Sequence, residues 1–216
     1  TPANTIIGFT SILTEENLTS TQNDYASTIK TNAQRLLVSI NDAVELSKIE
    51  CGELNPQFVQ TDIKSLCGEV INLYKDKHPN ITFSLDVRNS GLTNINTDKH
   101  KLRFILNNIL LFSMNVTQKG KLNISVDKTG SNQIEFVIED NSRGISPDIV
   151  NKLFEPFELQ KIEELKETSL TGLTFTLIDK YVNLLGGSIN VESTSAAGTK
   201  FIFTLKGEIM SNIENS

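Results

Sequence analysis

The stretch FVIEDNSRGISPDIVNKLFEPF, residues 136–157, decides how the rest of the chain is interpreted. Its apolar start predicts a buried strand at residues 136–138, the polar residues 141–147 with one glycine predict a turn, and residues 149–154 predict a short helix. Asp140 stands where the strand ends. A carboxylate there can accept a hydrogen bond from an amino group, and a glycine in the turn lets a ligand approach the backbone. Taken alone, the stretch favours an ordinary strand, turn and helix, and only its place in the whole chain changes that interpretation.

The composition is typical of a folded chain and excludes two classes of partner. The chain has 216 residues, of which 38% are hydrophobic and 21% charged, enough for one large domain or a small domain with an appendage. Its net charge of −6 argues against nucleic-acid binding, which needs a basic surface. It contains neither an apolar run of membrane-spanning length nor a signal-peptide pattern, so we expect a cytoplasmic fragment without direct membrane contact. The abrupt start in a helical pattern predicts a piece of a longer protein.

Two helices are predicted at the N-terminus, at residues 2–13 and 21–50. In the longer helix, Ile29, Leu36 and Ala43 lie seven residues apart, which is a heptad pattern. At about 1.5 Å per residue this helix is on the order of 45 Å long, so the shorter helix cannot cover its apolar stripe. A homodimeric four-helix bundle is the simplest way to bury that stripe.

Strands and helices alternate after a predicted boundary at Gly52 and Asn55–Pro56. The periodicity predicts strands at residues 58–61, 81–87, near 95, 122–126, 134–138, 189–192 and 201–205, and helices at 63–77, 100–116 and 172–185. Hairpin turns between several strands imply mixed pairing.

The predicted fold class is α+β. A helical hairpin, half of a dimeric four-helix bundle, occupies residues 1–55, and an α/β sandwich with helices on one face of a single sheet occupies residues 56–207. A polar tail follows at residues 208–216. Residues 159–170 are polar and without clear period, and they are predicted to form a mobile loop.

The order of these parts resembles the cytoplasmic core of a two-component sensor histidine kinase. That core is a dimerisation and phosphoacceptor hairpin followed by an ATP-binding domain of the GHKL (Bergerat) type, which gyrase B subunits share. The motifs that carry the resemblance cover nearly the whole chain in the family's order: TPANTIIGFTSIL (residues 1–13), SINDAVELSKIECGEL (39–54), DKHKLRFILNNILLFSMNVTQKG (98–120), EDNSRGI (139–145), LFEPF (153–157), SLTGLTFTLIDKYVNLLGG (169–187) and AAGTKFIFTL (196–205). They are similar to the segment after the phosphoacceptor histidine, the second hairpin helix, the N box, the first glycine box, the F box, the second glycine box and the closing strand.

The resemblance implies a protein-histidine kinase that uses ATP and Mg²⁺ and passes the phosphoryl group to an aspartate of a response-regulator receiver domain. It also implies a homodimer joined through the N-terminal helices, in the cytoplasmic part of a membrane-anchored sensor. Asp140 matches the carboxylate that reads the adenine amino group. The nucleotide-binding residues implied are Asn108, Asp140, Gly144, Ile145, Thr171, Gly172, Leu173 and Thr199, and Phe154 and Phe157 are expected to anchor the lid.

The sequence departs from the family pattern where the metal and the phosphates bind. Phe112 stands where the family's second N-box Asn binds Mg²⁺, and a phenyl ring offers no oxygen to a metal, so no metal ligand is predicted. Asn115 replaces the N-box Lys, and Ser142 replaces the first glycine of the first glycine box. In the second glycine box, Leu170 and Thr174 replace two of the three glycines that give a triphosphate access to backbone N–H groups.

Three functions are compatible with this pattern. The first is a sensor histidine kinase whose phosphotransfer is impaired. The second is a catalytically inactive dimeric signalling or binding module, and the third is a regulator that binds nucleotide without turnover. The acceptor histidine is expected four residues before Thr1, so the chain itself is predicted to contain no catalytic residue.

Overall fold

The computed structural model describes residues 2–88, 94–130, 132–162, 165, 168–194 and 197–207. In chain order the elements are α1 (Pro2–Leu13), α2 (Ser20–Glu50), β1 (Val59–Asp62), α3 (Ile63–Lys75), β2 (Ile81–Val87), β3 (Asn94–Thr97), α4 (Lys99–Thr117), β4 (Gly120–Lys128), β5 (Gln133–Asp140), α5 (Pro147–Val150), α6 (Thr174–Leu184), β6 (Ile189–Thr194) and β7 (Gly198–Lys206), with a 3-10 turn at Glu158–Lys161. A helical N-terminal region followed by an α/β sheet domain confirms the predicted fold class.

The main sheet has the strand order β2-β4-β5-β7-β6. The pair β2–β4 is parallel and the other pairs are antiparallel, so the pairing is mixed, as the hairpin turns imply. Strands β1 and β3 form a separate antiparallel pair, so the prediction of a single sheet is wrong. Along β5, every second side chain from Ile134 to Asp140 is buried, which turns Asp140 to the same face as Phe136 and Ile138.

The helices α3, α4 and α6 cover that face of the sheet. Helix α4 carries the largest share of the core, and its N-terminus is fixed by Asp98, whose Oδ1 accepts the N–H groups of His100 and Lys101. Three aromatic rings, Phe112 of α4, Phe175 of α6 and Phe201 of β7, pack with centroids 5.2 to 5.5 Å apart. Edge and tilted packing of this kind is favourable beyond the area it buries. The cluster therefore fixes the spacing of α4, α6 and β7.

Helix α2 begins with a capping box: Thr19 Oγ1 accepts the N–H of Gln22, and the Gln22 side chain accepts the N–H of Thr19. Its heptad stripe, defined here as Ile29, Leu36, Ile40 and Val44, is about half exposed. Within the described part of the chain, α1 does not cover the stripe. Such a row of apolar side chains fits a surface that another chain covers.

The other face of α2 contacts the α/β domain. The partly buried side chains of Leu46 and Ile49 pack against the core, and Asp42 and Glu45 hydrogen-bond to α6 and to the segment before it. We call these four residues the docking stripe. Positions 42 and 44 lie on opposite sides of the helix, roughly 160° apart at 3.6 residues per turn. The heptad pattern predicts only one functional face of α2, whereas the structure gives it two.

Two predicted segments need correction. The short helix lies at Pro147–Val150 rather than at residues 149–154, because Ser146 stands at its N-cap and Pro147 opens its first turn. The prediction of a polar mobile loop at residues 159–170 is wrong about polarity, since the side chains of Leu159, Ile162, Leu165 and Leu170 are buried. The first three lie three residues apart and pack into the main core.

Some predictions fall partly outside the described residues. The tail at residues 208–216 lies outside them, and so does position 131 in the turn between β4 and β5. Among the helices that the structure describes, none is both long and apolar enough to cross a membrane.

A matched pair of glycine substitutions tests the packing at the end of α6. A Cβ at Gly187 would collide with the backbone carbonyl of Thr204, whereas a Cβ at Gly68 within α3 meets nothing within 4 Å. Gly187→Ala is expected to lower the free energy of unfolding by about 2 kcal/mol or more. Gly68→Ala is expected to raise it by about 0.5–1 kcal/mol, because alanine favours a helix interior. Urea denaturation of both variants measures the difference, and equal stabilities would contradict the described close approach.

Candidate functional site

The carboxylate of Asp140 is the centre of the site. Its side chain is 2% exposed, and its Oδ1 accepts the N–H groups of Ser142 at 3.0 Å and Thr199 at 3.1 Å. These bonds tie the end of β5 to the following turn and to β7. The other oxygen, Oδ2, is buried and finds no hydrogen-bond partner among the described residues. A buried acceptor without a partner is costly, so this oxygen is placed to receive a proton donor from a ligand or a water molecule.

The turn after Asp140 is held against the β6–β7 hairpin. Gly144 has φ +76°, and a Cβ there would lie 2.6 Å from the carbonyl oxygen of Thr194. Ser193 Oγ accepts the N–H of Ile145 at 2.9 Å and lies 2.9 Å from the carbonyl oxygen of Gly198, to which it donates. Gly144 is therefore required by backbone conformation and close packing. Whether Gly144 and Ile145 also contact a ligand remains a prediction.

Ser142, in the place of a family glycine, fills part of this turn. Its Oγ accepts the N–H of Gly144 at 3.1 Å, and its own N–H is bound to Asp140. Two backbone donors of the turn are thus already used within the protein. A ligand that needs them must displace these bonds.

On helix α4, the apolar side chain of Phe112 occupies the position expected for a metal ligand. Phe112 is completely buried in the aromatic cluster with Phe175 and Phe201. The side-chain amide of Asn108 donates to the carbonyl oxygen of Phe104 at 2.8 Å, and that of Asn115 donates to the carbonyl oxygen of Leu111 at 2.7 Å. In the described part of the chain, no group of three or more His, Cys, Asp or Glu side chains could hold a metal ion.

The segment before α6, the second glycine box of the sequence comparison, satisfies some of its own N–H groups. The N–H of Thr171 donates to Thr174 Oγ1 at 2.8 Å, and the N–H of Leu173 donates to Thr171 Oγ1 at 3.2 Å. The carbonyl oxygen of Gly172 accepts the N–H of Phe157 at 2.6 Å. Threonine side chains at these positions therefore act as internal caps for donors that would otherwise point outward.

Asp42 is a part of the site that the sequence does not predict. The hydroxyl of Thr171 donates to Asp42 Oδ2 at 2.5 Å, across 129 positions of sequence, and the Asp42 side chain is 5% exposed. Burial raises the pKa of this carboxyl, and the hydrogen bonds from Thr171 and Thr174 oppose that rise. The only feature of the local sequence that indicates a second contact face on α2 is the apolar pair Leu46 and Ile49, which lies outside the heptad positions.

A second contact lies beside the first along the docking stripe. The hydroxyl of Tyr181 donates to Glu45 Oε1 at 2.9 Å. Burial, with the bond to Glu45, raises the pKa of this hydroxyl, so it remains a proton donor at neutral pH. The Tyr181 ring packs edge-on to Phe104, with centroids 5.2 Å apart, and thereby connects α2, α4 and α6.

The two expected lid anchors behave differently. The ring of Phe154 lies 6.0 Å from that of Phe175, centroid to centroid, and its carbonyl oxygen accepts the hydroxyl of Thr176 at 3.0 Å. The ring of Phe157 is 57% exposed, and the residue is connected through its backbone N–H to Gly172. Phe157 has φ +69°, a left-handed conformation that is uncommon outside glycine. The anchoring role of both residues remains a prediction.

The structure brings the predicted residues into two groups. Hydrogen bonds join Asp140 and Thr199, and the Ser193 side chain joins Ile145 to the β6–β7 hairpin. Thr171 and Leu173 form a second group at the start of α6. The aromatic cluster lies between the elements that carry these groups, and Asn108 stands four positions before Phe112 on α4. A buried carboxylate, a glycine turn and a helix N-terminus next to one sheet define a GHKL-type ATPase domain.

Comparisons with known proteins agree with that class. Residues 97–209 match the family model of the histidine kinase-, DNA gyrase B- and HSP90-like ATPases, and residues 1–52 match the His Kinase A (phospho-acceptor) domain. The chain therefore belongs to the histidine kinase-, DNA gyrase B- and HSP90-like ATPase family. A His Kinase A region precedes the ATPase region, which is the domain order of a sensor histidine kinase core, as the resemblance implies.

Curated histidine kinases are similar to nearly the whole chain. The signal transduction histidine-protein kinase BarA of Escherichia coli K12 is 31% identical over 99% of this chain and 24% of its own length. The sensor protein GacS of Pseudomonas syringae is 29% identical over 95% of this chain and 23% of its own length. The chain thus spans about a quarter of the length of the curated relatives it matches.

Solved structures share the fold at lower sequence identity. ShkA, crystallised in complex with AMPPNP, superposes with a TM-score of 0.81 at 22% identity over 97% of this chain and 44% of that chain. The histidine kinase ThkA in complex with the response regulator TrrA superposes with a TM-score of 0.67 at 21% identity, over 95% and 58% of the two chains.

Asp140→Asn tests the unpaired carboxylate oxygen. Asparagine keeps an oxygen for Ser142 and Thr199 but places an NH₂ group where Oδ2 stands, so we expect the fold to persist and adenosine affinity to fall by roughly 10- to 100-fold. Calorimetric titration measures the affinity. Glu139→Gln is the matched control, since this neighbouring side chain lies on the exposed face of β5. Equal loss in both variants, or none in Asp140→Asn, would contradict the role of Oδ2.

Proposed function

We propose that the chain acts in two-component signalling as a dimeric histidine kinase core that binds adenine nucleotide but transfers phosphate poorly. The observation that carries this proposal is the complete burial of Phe112 in the aromatic cluster. That position has no metal-binding oxygen and, because it is sealed inside the core, no space for one. The base-binding carboxylate, by contrast, is present.

The residues fit the adenine end of a nucleotide. The unpaired Asp140 Oδ2 can accept a hydrogen bond from the exocyclic amino group of adenine. Thr199 and Ser142 hold that carboxylate in place through their N–H groups. The AMPPNP bound to ShkA supports a nucleotide as the ligand of this fold.

The residues do not fit the metal in the family's manner. Mg²⁺ would neutralise and orient the phosphates when it is bound with ATP. With Phe112 in the place of its expected ligand, this chain supplies no side-chain oxygen at that position. Losing one well-placed electrostatic group commonly lowers kcat by about 10²- to 10³-fold. We therefore propose impaired transfer to the acceptor histidine and onward to a response regulator.

A second candidate function is a catalytically inactive dimeric signalling module. It is favoured by the threonine caps of the α6 segment, which use the N–H groups of Thr171 and Leu173 within the protein. In either case the proposed protein partners are a second copy of the chain and a response-regulator receiver domain, and the ThkA–TrrA complex supports the latter.

The dependence of ATP binding on Mg²⁺ tests the proposal. We expect the same ATP affinity in Mg²⁺ and in EDTA, because the metal has no side-chain ligand at position 112. Phe112→Asn and Phe112→Leu form a matched pair, since both remove the ring but only Asn supplies an oxygen. Each is expected to lose about 2–4 kcal/mol of stability, so the titrations are run at low temperature on variants whose fold circular dichroism verifies.

Only Phe112→Asn is expected to bind ATP more tightly in Mg²⁺ than in EDTA. A wild-type protein that binds ATP only with Mg²⁺ would contradict the proposed loss of the metal site. An absence of adenosine and ATP binding would leave the inactive signalling module as the better function.

The proposed homodimer is tested on the heptad stripe. Ile40→Glu places a charge in the middle of the stripe and is expected to convert the dimer to monomer, because burying an unpaired charge is strongly unfavourable. Asn41→Glu is the control, since it adds the same charge at the next, exposed position. Light scattering at micromolar concentration measures the mass. A monomeric wild type, or a dimeric Ile40→Glu variant, would contradict dimerisation through this stripe.

A further inference from the structure

The docking stripe of α2 places a carboxylate at the N-terminus of α6. Asp42 lies beside Thr171 and Thr174, and it is buried there although carboxylates prefer water. The start of an 11-residue helix such as α6 favours negative charge, because its first N–H groups lack partners within the helix and its dipole is positive there. The acidic group at this helix end therefore belongs to the protein itself.

The hydrogen bonds around Asp42 connect it to the backbone of the segment before α6. The Thr171 hydroxyl donates its proton to Asp42 Oδ2 and accepts the N–H of Leu173, while the N–H of Thr171 donates to Thr174 Oγ1. One hydroxyl thus connects the hairpin carboxylate to a backbone donor of the α6 segment. Freeing that donor requires the Thr171 side chain to turn, which breaks its bond to Asp42.

We propose that Asp42 is an internal competitor of the nucleotide phosphates, so that docking of α2 on α6 and binding of a phosphate chain weaken each other. This inference rests on the proposed function, in which the nucleotide base is held by Asp140. Phosphates bind at helix N-termini through free N–H groups, and here the N–H groups of Thr171 and Leu173, just before α6, are bound within the protein. A second anion next to Asp42 would also be repelled in a site with little water.

The proposed competition predicts different effects on the affinities of two ligands that share the adenine base. Adenosine has no phosphates and meets only the Asp140 end of the site, whereas ATP must also enter the Asp42 end. The intact docking stripe is therefore expected to weaken ATP binding and to leave adenosine binding unaffected. Because coupling is reciprocal, ATP is expected to weaken the contact of α2 with α6 by the same factor.

Asp42→Asn is the direct test. Asparagine has nearly the same shape and can still accept the Thr171 hydroxyl, but it removes the charge. Calorimetric titrations without Mg²⁺ compare ATP and adenosine. We expect ATP affinity to rise by about fivefold or more, the lower end of typical coupling between sites, with adenosine affinity unchanged. Glu50→Gln is the matched control, because it removes one negative charge from an exposed position of the same helix.

Thr171→Val gives an independent second variant. It keeps the shape of the side chain but removes the hydroxyl that holds Asp42 and occupies the N–H of Leu173. ATP affinity is again expected to rise. A fall in ATP affinity would show that the hydroxyl itself binds phosphate, and this result would overturn the proposal.

The two ligands separate failure of this inference from failure of the proposed function. If adenosine binds but ATP affinity is the same in Asp42→Asn, Glu50→Gln and the wild type, the competition is refuted and the adenine site stands. If neither ligand binds to any of these proteins, the adenine site is refuted and the competition with it.

Discussion

The packing of Phe112 between α6 and β7 is the constraint on which the rest of the site depends. Two of the elements that the aromatic cluster joins, α4 and β7, carry the predicted nucleotide-binding residues Asn108 and Thr199, and Thr171 lies just before the third, α6. A polar side chain at position 112 would have to be hydrated or metal-bound to remain inside this core, because an unpaired buried polar group is costly. The Phe112 ring needs neither water nor a metal, and it closes the interface between α4, α6 and β7. Stability is thereby gained at the position where the family's chemistry needs an oxygen.

The two ends of the site depart from the family pattern to different degrees. At the proposed base end, Asp140 has one oxygen that ties β5 to the turn and to β7, and a second, buried oxygen that lowers stability unless a ligand or water pairs with it. At the proposed phosphate end, the side chains of Thr171 and Thr174 form hydrogen bonds within the protein. Glycines in this segment would leave backbone N–H groups free for a ligand. A site with an unsatisfied acceptor at one end and internally bonded donors at the other is expected to favour a nucleoside over a triphosphate. This asymmetry connects the proposed impairment of phosphate transfer with the docked hairpin.

Much of the fold follows from local sequence, and the interface between its two parts does not. The alternation of residues 81–87 and 134–138 defines strands by period alone, and the boundaries of α1 agree with the prediction because its apolar pattern stops at Leu13. Asp140 is predictable as a site residue because it ends a buried strand beside a glycine turn. Asp42 is not, since its partner Thr171 is 129 positions away and only tertiary packing makes that carboxylate buried. The short helix α5 starts earlier than the apolar residues 149–154 predict, because Pro147 is its first helical residue and not part of the turn.

Helix α2 gives a physical route between dimerisation and the nucleotide site. Its heptad stripe and its docking stripe lie on opposite faces of one continuous helix of 31 residues. A helix of that kind transmits rotation along its axis because its backbone hydrogen bonds resist local deformation. Any rearrangement of the proposed bundle that turns Ile40 and Val44 must also turn Asp42, which lies between them in sequence and opposite them in space. A displacement that breaks the short bond from Thr171 to Asp42 would free the Thr171 hydroxyl to turn and release the N–H of Leu173. If both proposals hold, nucleotide binding can be coupled to dimer geometry without catalysis, because the helix proposed to pair the two copies also contacts the segment proposed to receive the phosphates.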